Sequence, residues 1–445
     1  MIATRPTASW LPLAALLAAL GVGFIAFLGP LAGLALLAPL AAAFVLLFPP
    51  LAVPLLIVAS SVNRFGIAWG DAQIRVEILI VLLLAAVIAN QIAVRTLPWR
   101  ALRSPLLVPL LGYLLINVLA SLLFAVERSR GLKLDAEIFA AVACYIVASA
   151  LLWRRENLAL AIRALWVVST LEAVIGIASM VLFAAHVTLL GVQINESGFP
   201  MAYGTQWEAN IFGSFLLGNF LVLLGDYVNG NRSSLRAFSL MLIVLGIGVS
   251  MTRTVWLALV IALVVFVALA QRLRRSESSL LGILAAIPVV ALVGLIVGSA
   301  TPLAGRLMDL VNLQSSSASG RFVWFTAALQ DWKSHPIFGN GTGSFNYNAV
   351  PGQPHPWLPN LFLLTLHDTG IVGLAIVVAL IVIFFRTIVR GLRLDNNQAL
   401  LAAGAAAGFT GLLLAFQMTS GFWFAYPWIV AAIGMRASEP RPEGS

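Results

Sequence analysis

The chain has 445 residues, of which 61% are hydrophobic and only 10% charged, and it carries a formal net charge of +9. Soluble domains hold roughly 25% charged residues, so the composition excludes a soluble globular protein. The positive charge is not a nucleic-acid footprint: 17 of the 26 lysines and arginines gather on one side of the apolar spans, the positive-inside bias of a multi-pass membrane protein.

Arg5 is followed by an apolar run that reads as a retained first helix rather than a cleaved signal. Apolar stretches then recur at about 12–28, 31–48, 51–62, 76–91, 105–124, 136–152, 163–184, 209–226, 237–250, 254–270, 279–299, 360–385, 398–418 and 421–436. Several are short for a hydrocarbon core of roughly 30 Å. The expectation is therefore an all-α, polytopic integral membrane protein with 12–14 transmembrane helices. An even count puts both termini on the arginine-rich, cytoplasmic face. The other face receives the loops at 63–75, 125–135 and 185–208, the tight turn Met251–Thr254, and one long polar island.

That island divides the chain. Residues 1–299 read as a transmembrane bundle, 300–359 as a large outer loop, 360–436 as C-terminal transmembrane helices, and 437–445 as a disordered tail. Within the loop, Ser319 or a neighbour is placed to cap a helix starting near Arg321. Trp324, Phe325, Ala328, Leu329 and Trp332 repeat at three-to-four spacing, the pattern of an amphipathic helix lying on the membrane surface or the bundle. Pro336 follows it. Gly339, Gly341 and Gly343 then form a flexible turn whose backbone N–H groups suit an anion.

A few polar residues stand out against the apolar background. Arg253 lies between two apolar helices with almost no loop around it, where a charge is costly and by default functional. Arg321 opens the loop helix, an end that disfavours cations unless an anion is near. Two guanidiniums reaching one outer cavity suit a phosphate group. Glu208, beside Asn210 at the start of a span, is a candidate catalytic carboxylate or arginine partner. Glu172 lies deeper, where pairing with another intramembrane polar group competes with a functional role. His355 and His367 are candidate bases near the outer end of the span after the island, with Asp368 placed to orient one or act itself. No metal-binding, P-loop or GxSxG pattern is present, so no metal or cofactor is expected. The single Cys144 excludes an intrachain disulfide and a cysteine-based zinc site.

The run from Ser317 to Phe345, S-x-S-G-R-x-x-W-x-x-A-L-x-x-W-x-x-H-P-I-F-G-N-G-x-G-x-F, resembles the signature of the O-antigen ligase/polymerase superfamily. Asn360–Leu374 (NLFLLTLHDTGIVGL), Thr252–Leu259 (TRTVWLAL) and Glu208–Leu216 (EANIFGSFL) are similar to three further family blocks, in the same order. Together these blocks cover about a fifth of the chain. The resemblance implies a C-type membrane glycosyltransferase in the bacterial inner membrane, working on its periplasmic face. The donor would be a glycan on undecaprenyl diphosphate and the acceptor a lipid or glycan hydroxyl. Transfer would be metal-independent and inverting. By matching position, Arg253 and Arg321 would hold the diphosphate, with Asn210, Trp324, Gly339, Gly341 and Asn360 in support. Ligases usually carry His-Asn where Pro359-Asn360 stands here, and His355 lies four residues earlier. A ligase and a polysaccharide polymerase remain alternatives. A polysaccharide-lipid flippase is the competing class, and would show paired half-helices and mid-membrane charges.

Overall fold

The computed structural model describes residues 49–69, 72–187, 191–195, 198–273, 316–345, 358–393 and 398–439. Its helices are α1 (Ala52–Ser61), α2 (Val76–Ala93), α3 (Leu107–Phe124), α4 (Arg128–Leu151), α5 (Arg155–Ala184), α6 (Ala209–Val228), α7 (Ser234–Val249), α8 (Arg253–Arg272), α9 (Ser316–Trp332), α10 (Leu361–Gly391), α11 (Ala399–Ala415) and α12 (Ala425–Ser438). Two small antiparallel hairpins interrupt them: β1 (Gly66–Trp69) with β2 (Ala72–Arg75), and β3 (Val192–Ile194) with β4 (Pro200–Ala202). The protein is an all-α polytopic membrane protein. Among the described residues seven helices, α2, α3, α4, α5, α6, α8 and α10, are long and apolar enough to cross a membrane, and α1, α7 and α11 are shorter and apolar.

Burial explains the layering. Helix α6 is enclosed almost all round, and it packs most extensively on α11, whose sequence ALLAAGAAAGFTGLLLA is nearly all small or apolar. A Cβ on Gly404 would lie 2.3 Å from the Leu221 carbonyl oxygen, so the two backbones touch. Small residues let membrane helices approach in this way, and close packing replaces the hydrophobic drive that lipid removes. The outer helices show the opposite pattern. Val108, Leu115 and Leu123 of α3, Leu257 and Val264 of α8, and Ile371 and Val382 of α10 are exposed on outward faces, as a lipid-facing surface requires.

Eleven of the predicted spans fall on described helices, whereas 12–28, 31–48 and 279–299 lie outside the described residues. Four boundaries differ. Residues 128–135, expected as loop, are the first two turns of α4, and α5 begins at Arg155 rather than 163. Hydropathy marks where lipid begins, while Arg, Lys, Glu and Leu remain good helix formers outside it. Helix α9 begins at Ser316, so Ser319 lies inside it rather than before its start. Nothing in SSASG stops a helix outright, since glycine costs only about 1 kcal/mol there. At the C-terminus Ala437 and Ser438 belong to α12, and Glu439 pairs with Arg436 at 2.7 Å. The remainder of the expected tail, 440–445, lies outside the described residues. The loops expected at 63–75 and 185–208 contain the two hairpins.

Candidate functional site at the hairpin end of the bundle

One feature organises this end: α10 is broken at Gly370, whose φ of 67° and ψ of −164° leave the helical region. The break frees backbone groups that the loop after α9 takes up. Asn340 N donates to His367 O at 2.8 Å and Gly341 N to Asp368 O at 3.0 Å. In return, Ile371 N donates to Pro336 O at 3.0 Å and Val372 N to Ile337 O at 3.2 Å. Irregular backbone at membrane depth persists where protein satisfies it in this manner. The contact is too close for side chains. A Cβ on Gly370 would sit 2.2 Å from Ile337 O, and one on Gly339 2.3 Å from the Asp368 carbonyl carbon.

This corrects the reading of Gly339, Gly341 and Gly343 as a flexible, anion-facing turn. Residues 339–345 are buried, and the N–H groups of 339–344 are spent within the protein. Thr342 is held from three sides. Its N–H donates to Ser121 Oγ at 3.2 Å, and its hydroxyl lies 2.6 Å from Asp135 Oδ1 and 3.2 Å from Asn117 Oδ1. The glycines are the anchor by which the loop enters between α3, α4 and α10.

His367 is fully buried within this anchor. Its Nδ1 lies 2.7 Å from Asp368 Oδ1, and its Nε2 lies 2.8 Å from Asp331 Oδ2 on α9. The Phe345 ring meets it edge-on. Two hydrogen bonds among three titratable groups need two protons, so the set carries one net negative charge wherever the protons reside. His367 thus bridges α9 to α10. Above it, Ala328 of α9 packs with Phe345, Leu358 and Leu364, with Trp324 at the edge of the cluster. Helix α9 therefore lies on the bundle.

Three other predicted residues, Arg321, Glu208 and Asn360, gather around the turn after α11. Arg321, half-buried on α9, places Nη1 3.8 Å from Met418 Sδ. Glu208 precedes α6, and its Oε1 accepts from Thr419 Oγ1 at 2.9 Å and from Asn210 Nδ2 at 3.3 Å. Arg253 is half-buried and opens α8, which packs along α11. Asn360 caps α10, where its Oδ1 accepts from Leu363 N at 2.9 Å, and its Nδ2 donates to Gln417 O at 3.3 Å. Asn360→Ala is expected to lower stability by about 1 kcal/mol, and Asn360→Ser by less, because a serine can still cap. Thermal unfolding of the two purified variants checks the order. His355 lies outside the described residues. Glu172 accepts from Thr205 through both its N–H and its hydroxyl and so ties α5 to the turn before α6.

Sequence reasoning missed Asp331, Thr342, Asp135, Met418 and Thr419. Asp135 carried a usable signal, since a carboxylate on an apolar helix is costly. Met418 and Thr419 carried none. Among the described residues no group of three or more His, Cys, Asp or Glu is arranged to hold a metal ion.

Fold and site together define a multi-pass helical membrane protein in which the segment of α9 and the glycine loop is locked into the bundle by a broken helix, beside a turn that contacts both Arg321 and Glu208. Residues 238–378 match the family model Wzy_C, described as O-Antigen ligase. The match spans Arg253, Arg321, the glycine loop and His367, but neither Glu208 nor Thr419. No curated protein matches the chain.

Proposed function

We propose that this protein is a membrane glycosyltransferase that moves a glycan from an undecaprenyl-diphosphate donor to an acceptor hydroxyl. The observation that carries the reading is a convergence. Arg321 and Glu208, remote in sequence, attach to the adjacent residues Met418 and Thr419 of one turn, and α8, which Arg253 opens, starts beside the start of α6, where a Cβ on Gly213 would sit 3.3 Å from Val255 Cγ1. Cations suited to a diphosphate and a carboxylate suited to a hydroxyl proton thereby share one end of the bundle.

In this reading Glu208 takes the proton of the acceptor hydroxyl through Oε2, which has no hydrogen-bond partner among the described residues. The acceptor oxygen attacks the anomeric carbon and forms the new glycosidic bond. The bond from that carbon to the diphosphate oxygen breaks on the opposite side, and its electron pair leaves with undecaprenyl diphosphate. The anomeric centre is inverted. Arg253 and Arg321 stabilise the charge that develops on the leaving group. Diphosphate is a good leaving group, so the reading invokes no metal. His367, enclosed between two carboxylates, holds α9 and hence Arg321 in place; His355 is the competing base. Gly339 and Gly341 support the site by the backbone anchor, and Trp324 by packing.

We place the protein in the bacterial inner membrane, with both termini cytoplasmic and the site periplasmic. The asymmetry of 17 of 26 basic residues supports that orientation.

The test is transfer by the purified full chain in lipid nanodiscs, with an undecaprenyl-diphosphate oligosaccharide, candidate acceptors and EDTA. Donor consumption with release of undecaprenyl diphosphate is expected. A single addition to the acceptor identifies a ligase, and a ladder of products a polymerase. A donor left intact with every acceptor overturns the reading. Arg253→Ala is expected to lower kcat roughly 10²–10³-fold, the usual loss for one group that stabilises developing negative charge.

A further inference from the structure

The turn from Phe416 to Ser420 belongs to none of the recognised sequence blocks and lies outside the family match. It nevertheless touches three of the candidate residues, Arg321, Glu208 and Asn360. We propose that Thr419 is a positioning residue for the transfer reaction, and that this turn is the element that registers Glu208 against Arg321. The inference rests on the glycosyltransferase reading.

Three anchors fix the turn from behind. Phe416 O accepts from Leu361 N at 2.8 Å, Gln417 O accepts from Asn360 Nδ2 at 3.3 Å, and Ser420 Oγ donates to Leu358 O at 2.6 Å. All three partners belong to the start of α10 or the residues just before it. The turn is thus held by the same helix that receives the glycine loop.

From this fixed backbone two neighbouring side chains reach opposite groups. Met418 presents its polarisable sulfur to the Arg321 guanidinium at 3.8 Å, and Thr419 donates its hydroxyl to Glu208 Oε1 at 2.9 Å. Consecutive Cα atoms lie about 3.8 Å apart, so both contacts are made from one short piece of anchored backbone. Thr419 is only 7% exposed, which leaves water little room to replace its bond. With Asn210 on the same oxygen, Oε1 is occupied and Oε2 remains for the acceptor. A hydrogen bond to a charged group both stabilises and orients it. Orientation matters because a misplaced base loses rate without losing substrate affinity.

A merely structural role for Thr419 predicts a different outcome from a positioning role, and kinetics separate the two. The full chain in nanodiscs is assayed with an undecaprenyl-diphosphate oligosaccharide as Thr419→Val, Thr419→Ala and Thr419→Ser, beside Glu208→Gln. Thr419→Val is expected to lower kcat roughly 10-fold with donor KM unchanged. Thr419→Ser, which keeps the hydroxyl, should restore most of kcat. If the valine variant does not fold, alanine against serine carries the test, and equal rates for those two overturn the inference. An unaltered kcat in Thr419→Val beside an inactive Glu208→Gln overturns the positioning role and leaves the glycosyltransferase reading intact. Full activity of Glu208→Gln removes the base that Thr419 is said to orient, and the inference falls with that assignment.

Discussion

Glu208→Gln is expected to lower kcat roughly 10²–10⁴-fold, the range that general acid–base groups contribute, with donor KM little changed. The substitution is close to isosteric. Glutamine keeps a carbonyl oxygen that can still accept from Thr419 and Asn210, so both ties at the start of α6 survive. Glu208 occupies the N-cap position of α6 but its side chain makes no capping bond, and α6 does not depend on the carboxylate to begin. What glutamine cannot do is take a proton from a hydroxyl at neutral pH. A loss confined to kcat, in a protein that unfolds at the wild-type temperature, therefore reports chemistry rather than folding. The competing base gives the opposite pattern. If His355 removes the proton, Glu208→Gln turns over at close to the wild-type rate and His355→Ala does not.

How much of this was legible follows from what each residue needs to reveal itself. Spans such as Val76–Ala93 and Ala209–Val228 declare themselves, because a lipid-crossing helix must be apolar over its whole length. The starts of α4 and α5 do not, since Arg128 and Arg155 satisfy helix propensity after the lipid requirement has ended. Arg253 and Arg321 were visible through the cost of placing charge beside apolar runs. Gly339 and Gly370 were visible as glycines, but not as the two sides of one contact, because their partners are backbone atoms some thirty positions away. That reassigns the glycine loop from ligand binding to anchorage. His367 was visible as a rare titratable side chain. Its enclosure depends on Asp331, 36 residues upstream, a pairing no local pattern encodes. Thr419 was invisible for a plainer reason: in a QMTS turn between apolar helices, a threonine looks the same whether it faces water or a carboxylate.

Arg75→Met is expected to destabilise the protein by about 3–5 kcal/mol, the cost of removing one partner from a buried ion pair. Arg75 closes the first hairpin, 4% exposed, with Nε 2.7 Å from Glu77 Oε1 and Nη1 2.6 Å from Glu137 Oε2. Its Nη2 donates to Trp423 O at 2.6 Å, and its guanidinium lies 4.8 Å from the Phe424 ring centroid. Burial works against its charge, but Glu77 and Glu137 more than offset that and raise its pKa above the usual arginine value. Without Arg75, two buried carboxylates face each other with no cation between them. Replacing all three charges with apolar residues is expected to recover part of the loss, since it removes the uncompensated carboxylates. It should not recover all of it. Gln73 N donates to Glu137 Oε1 at 3.0 Å and Ala425 N to Glu77 Oε2 at 3.4 Å, and these donors would lose those acceptors. Each such group costs about 1–3 kcal/mol when buried without a partner. Unfolding of Arg75→Met, the apolar triple variant and wild type in one detergent checks the order: wild type most stable, triple intermediate, Arg75→Met least. A triple variant no better than Arg75→Met would mean that the orphaned backbone groups, not the stranded carboxylates, dominate. The hairpin would then be held to α4 and α12 chiefly by its main chain.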